Sequence, residues 1–125
     1  MEPKDCRVAV RCPYADKGSF KEDRERFLLI YELEGCQKAV DFLTKYYGIR
    51  KMKIILDGRR VMRTKTHKTY LAHYYRNKAY FSRRGLTKRL VLHELYHHLV
   101  YVIGLDMTET KEERAANNYA RDFLS

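Results

Sequence analysis

The chain has 125 residues, 45% of them hydrophobic and 34% charged, with six Gly and two Pro; this is enough apolar mass for one core and too little chain for two, so residues 1–125 read as a single domain that is neither disordered nor collagen-like. The net charge of +10 is unevenly held: residues 50–89 carry fourteen Lys and Arg against one acid, Asp57, for a net of +13, while the remainder is net −3. Such polarity marks an anionic partner, either nucleic acid or an acidic protein surface, or a face kept soluble by its charge.

The amino terminus, Met1-Glu2-Pro3-Lys4-Asp5, is polar rather than leader-like. No apolar run approaches the roughly 18 residues a membrane span needs, so no membrane is expected as a partner and the cytoplasm is the expected location. Cys6, Val8, Val10 and Cys12 alternate with Arg7, Ala9 and Arg11, the period of a half-buried strand. The three cysteines, Cys6, Cys12 and Cys36, are odd in number and form no Cys-x-x-Cys pair, which speaks against a disulfide framework and a zinc ribbon and for reduced thiols. Ser19 and Glu22 fit a capping box for a helix starting near Phe20, yet the apolar run Phe27 to Leu33 suits a strand beside residues 6–12 equally well.

Cys36, Ala39, Val40, Leu43, Tyr46 and Tyr47 recur at helical spacing, and Gly48 stands where a left-handed cap would close that helix. Lys51 to Leu56 and Arg59 to Thr66 flank Asp57-Gly58, which predicts a hairpin. A second hairpin is predicted around Arg76-Asn77-Lys78, joining Thr69–Tyr75 to Ala79–Arg83, so the sheet should be small and mainly antiparallel. Thr87 to Ile103 is apolar almost all round, the pattern of a central buried helix with Thr87 as N-cap and Gly104 beyond its end. A last helix is predicted over Glu109–Leu124, with an apolar face from Ala115, Ala116, Tyr119, Ala120, Phe123 and Leu124. The fold class is α+β.

Within the central helix stands His93-Glu94-Leu95-Tyr96-His97, the His-Glu-x-x-His metal pattern. Residues four apart project from one helical face, so the two imidazoles can grip one Zn²⁺, while Glu94 can serve as general base to an attacking water. His98 lies too far round the helix to join them and reads as a packing residue. His67, His73, Tyr74, Tyr75 and Tyr101 are all candidates to stabilise an oxyanion, and spacing does not choose among them. A catalytic zinc takes three protein ligands, and Asp106, Glu109, Glu112 and Glu113 are the candidates for the third. Glu113 is favoured because Ala116, Asn117 and Ala120 follow on its face and would let the last helix approach closely. Against that, Thr110 to Glu113 also spells a capping box, in which Glu113 would only close the helix start.

Glu113-Arg114-Ala115-Ala116-Asn117-Asn118-Tyr119-Ala120 resembles the Glu-x-x-Ala-Asn-x-aromatic-Ala pattern of the ImmA/IrrE-like peptidases. Together with the His-Glu-x-x-His helix it makes residues 87–124 similar to a gluzincin metallopeptidase, of the minimal kind seen in the archaeal minigluzincins. The resemblance implies a minimal zincin-like domain, His93, His97 and Glu113 as zinc ligands, Glu94 as base, and hydrolysis of peptide bonds in a protein or peptide substrate. Residues 1–35 match no pattern of that group, and the substrate does not carry over. The basic segment invites comparison with SprT-like zincins, which act on proteins bound to DNA, with Arg59, Arg60 and Arg63 as nucleic-acid contacts; those enzymes, however, use a third histidine where this chain offers Glu113. The rival expectation is a non-enzymatic nucleic-acid-binding or toxin-antitoxin-type module in which zinc is structural or absent.

Overall fold

The computed structural model describes residues 20–57, 62–63 and 69–125. Helices α1 (Phe20–Glu34) and α2 (Cys36–Tyr47) are followed by strands β1 (Lys53–Leu56), β2 (Met62–Arg63), β3 (Thr69–Tyr70), β4 (Ala72–Tyr75) and β5 (Lys78–Phe81), then by α3 (Lys88–Ile103) and α4 (Glu109–Leu124). The fold is α+β and helix-rich, and no helix among the described residues is long and apolar enough to cross a membrane. The expected strand over residues 6–12 and the Ser19 cap lie outside the described residues.

The segment that periodicity left undecided is helical. Phe27 is wholly buried, whereas Leu29 and Leu33 are 57% and 74% exposed, so the apolar run wraps around α1 instead of facing one way. Gly35, at φ 100°, separates α1 from α2, and its N–H still closes the end of α1 by donating to the Ile30 and Tyr31 carbonyls. Gly48 ends α2 in the left-handed conformation, as expected.

The main sheet has three strands in the order β1-β5-β4. Its β4–β5 pair is the predicted second hairpin, closed by Arg76 and Asn77 at φ 43° and 70°, the paired positive dihedrals of a type I′ turn. The predicted first hairpin is corrected: β1 pairs in parallel with β5, Lys53 opposite Lys78 and Leu56 opposite Phe81, making the sheet mixed, while β2 pairs antiparallel with β3. The reason lies at the other edge of β1. There Gln37 of α2 accepts the Ile54 N–H at 2.8 Å and donates to the Met52 carbonyl at 3.0 Å, occupying the backbone groups a hairpin partner would need. The Asp57 N–H is likewise drawn to the Phe81 carbonyl at 2.7 Å.

Helix α3 is central, burying Val91, Leu92, Leu95, Tyr96, Leu99 and Val100 against the sheet and the other helices. Thr87 caps it by accepting the Leu90 N–H, and Gly104 ends it in the left-handed conformation. Ala116 and Ala120 are wholly buried where α4 packs on α3, so the small side chains do permit the close approach that spacing predicted. Gly85 is another such point: a β-carbon there would lie 1.9 Å from the Leu71 carbonyl oxygen, so only glycine fits ahead of α3. The tie of Tyr47 to Tyr119, 2.8 Å between hydroxyls, joins α2 to α4 inside the core.

Candidate metal centre

The one-turn spacing on α3 does what it implies. His93 and His97 bring their Nε2 atoms to 3.2 Å from each other, and both are nearly buried. From α4, Glu113 reaches over them, Oε1 3.2 Å from His93 Nε2 and Oε2 2.8 Å from His97 Nε2, its side chain still 53% exposed. Among the described residues these three form the cluster able to hold a metal ion. The alternative in which Glu113 caps its helix is corrected: Thr108, not Thr110, is the N-cap, accepting the Lys111 N–H, and Glu113 stands a turn inside α4.

The rear of the His97 imidazole is held by α4. His97 Nδ1 lies 2.6 Å from Glu112 Oε2. A carboxylate can only accept, so Nδ1 carries the proton and Nε2 presents a lone pair. Asn117, also on α4, hydrogen-bonds the His93 side chain, which opposes the lowering of that imidazole's pKa. At the front the His97 Nε2 lone pair and the Glu113 carboxylate, two acceptors, face each other at 2.8 Å, with His93 Nε2 3.2 Å from each residue. A cation resolves that conflict. Ligand atoms arranged tetrahedrally at about 2.0–2.1 Å from one ion lie about 3.3 Å apart, close to the separations of 3.2, 3.2 and 2.8 Å found here.

Comparison with protein-family models, with curated proteins and with solved structures returned no match to this chain. The centre must therefore be read from its own chemistry.

Burial, with His97 alongside, lowers the pKa of His93 against the opposing pull of Glu113 and Asn117, which keeps the imidazole neutral as ligation requires. Glu94 is buried beside the cluster, its Oε2 4.0 Å from His93 Nε2, close enough to meet a water there and too far to be a ligand. Desolvation pushes its carboxyl up to about 7, with Glu113 adding to the rise and His97 opposing it.

The remaining candidates fall elsewhere. Glu112, considered as a ligand, instead orients His97, and Asp106 and Glu109 are exposed and outside the cluster. His98 is a wholly buried packing residue, with Nδ1 2.6 Å from the Tyr74 hydroxyl and Nε2 2.7 Å from the Arg50 carbonyl. His73 stacks on Tyr80 at 4.9 Å. Tyr75 and Tyr101 border a cleft of about 590 Å³ that also reaches His97 and Glu112. Arg59, Arg60 and His67 lie outside the described residues, and Arg63 is placed only as part of β2.

The orienting role of Glu112 is the part sequence reasoning missed. A carboxylate or amide behind a ligating histidine sharpens its direction and basicity, and losing one costs roughly 10–100-fold in metal affinity. Glu112→Gln is expected to weaken metal binding within that range while leaving the ligand set complete, read by competition titration against a chromogenic chelator.

Proposed function

We propose that the protein is a zinc-dependent metalloendopeptidase of gluzincin type, acting on protein or peptide substrates in the cytoplasm. The observation that carries this reading is the set of three converging ligand atoms, two imidazole nitrogens and one carboxylate oxygen, with a buried, non-ligating carboxylate at their side. Two nitrogens and an oxygen suit Zn²⁺, and three protein ligands are the pattern of catalytic rather than structural zinc. A structural site would draw its fourth ligand from His98 or a cysteine. Both nitrogens of His98 are engaged elsewhere, and the Cys36 thiol is hydrogen-bonded with Tyr31, while Cys6 and Cys12 lie outside the described residues.

Zinc, when bound, supplies a Lewis acid that acidifies water and polarises the scissile carbonyl. Glu94, buried with Oε2 4.0 Å from His93 Nε2, accepts the proton of the attacking water and returns it to the leaving amine. Burial favours the neutral form of His93, and Glu112 fixes the His97 ring through Nδ1. Strand β4, at the edge of the three-stranded sheet and packed against α3, offers backbone groups along which an extended substrate can align.

The full chain purified without chelator is expected to hold about one zinc per molecule by elemental analysis. It should cleave unfolded casein or a quenched-fluorescence peptide library, lose that activity in 1,10-phenanthroline, and regain it with added zinc. Metal-free protein, or zinc-loaded protein inert toward every peptide, would overturn the reading and favour the non-enzymatic module.

A further inference from the structure

The basic segment gains its meaning from the parallel β1–β5 pairing. Side chains alternate across a sheet, and Ala79 and Phe81 of β5 are wholly buried under the helices, so Lys78 and Tyr80 face the opposite way. Register then fixes their neighbours. Lys53 and Tyr75 flank Lys78 in one row, and Ile55 and His73 flank Tyr80 in the next. Lys53, Lys78, Tyr75 and His73 are exposed. His73 lies flat on Tyr80, rings 4.9 Å apart and 13° from parallel, and the Arg76 guanidinium sits 5.1 Å over the Tyr75 ring. Arg76, Lys53 and Lys78 also converge with Lys51 around a cavity of about 570 Å³ at the end of these strands. Lys51 is paired with Asp41 at 3.9 Å; among the described residues no acid pairs with Lys53, Lys78 or Arg76.

Unpaired cations set among flat aromatic rings on an exposed sheet face have two complementary ligands in one polymer: phosphates for the cations and bases for the rings. A polyanion without bases would use only half of it, and a duplex keeps its base faces stacked inside. We propose that this face, formed by Lys53, Tyr75, Arg76, Lys78 and Tyr80, binds single-stranded nucleic acid. The inference is independent of the peptidase reading, and it assigns the contact to residues other than Arg59, Arg60 and Arg63.

The test is fluorescence anisotropy of the full chain with labelled oligothymidylate and oligouridylate, carried out in EDTA so that the metal centre plays no part. Binding is expected to one or both, the difference between them reporting the sugar. With about three phosphates neutralised, affinity for a single strand should fall about 20-fold between about 50 and 200 mM salt. Lys53→Glu with Lys78→Glu should weaken binding by about 30-fold or more and flatten that salt dependence; the double Gln variant should move the same way by less, with thermal unfolding of both unchanged. Tyr75→Ala should cost about tenfold with the salt slope preserved, a signature that lost charge would not give. No binding at low salt overturns the proposal. So does equal affinity for heparin, polyglutamate or a duplex of the same length, or indifference to Tyr75→Ala, since each would make the face a plain charged surface.

Discussion

Glu94→Gln is expected to leave zinc bound and to lower peptide hydrolysis by at least about a hundredfold, the usual minimum for losing a positioned general base. The substitution preserves shape and leaves His93, His97 and Glu113 intact, so zinc content by elemental analysis should equal that of the parent. What is lost is the capacity to take a proton. The same change should make the metal-free protein more stable, because the parent buries a group that water would prefer to ionise. Its carboxyl titrates near 7 in the folded chain against an ordinary 4.5, so the folded state holds the proton more tightly than the unfolded state does. The stability tied to that proton is complete below the unfolded value and is lost as pH rises through about 7. In EDTA, the parent should therefore fall behind the Gln variant between those limits, by on the order of 3 kcal/mol once the carboxyl is ionised. Thermal unfolding of both proteins at pH 5 and pH 8.5 measures it. Normal turnover by the variant would remove Glu94 from the chemistry; unchanged relative stability across that range would mean its burial carries no such penalty.

Local signals carried the helices, and the long-range pairing was hidden from them. Thr87, Gly48 and Gly104 act within one turn of their own positions, and each takes the capping role its residue type suggests. The helical form of α1 was not decidable, because Leu29 and Leu33 are apolar yet exposed and blur the face that Phe27 defines. The parallel union of β1 with β5 leaves no mark on either strand, whereas Asp57-Gly58 has the look of a hairpin turn; what settled the pairing was Gln37, far off in the chain, at the outer edge of β1. The metal centre divides the same way. His93, Glu94 and His97 share one helix and could be placed by spacing alone. Glu112 and Glu113 are adjacent in sequence but about 100° apart around α4, and which of them meets the lone pairs is decided by how the helix packs through Ala116 and Ala120. The open sheet face was hidden for the same reason, since Lys53 meets Lys78 only through that parallel register.

Glu113→Gln should weaken zinc binding by orders of magnitude and abolish turnover while leaving the apo fold untouched. A neutral amide oxygen is a far poorer partner for the cation than a carboxylate, and no other described carboxylate touches both imidazole nitrogens. The fold should not respond, because Thr108 caps α4 without help from Glu113, which is a half-exposed residue one turn further on. Gln is also nearly as good a helix former as Glu, so the apo melting transition should stay within about 0.5 kcal/mol of the parent. The comparison with Glu112→Gln gives the result its sharpness. Both changes delete one charge from neighbouring positions of the same helix, yet the Glu112 variant loses only an orienting bond to His97 Nδ1 and should keep measurable turnover. If zinc titration of the Glu113 variant instead matches the parent, while the Glu112 variant loses the metal, the ligand is Glu112. Its carboxylate already lies 2.6 Å from His97 and would then have to swing from the back of that ring to the front.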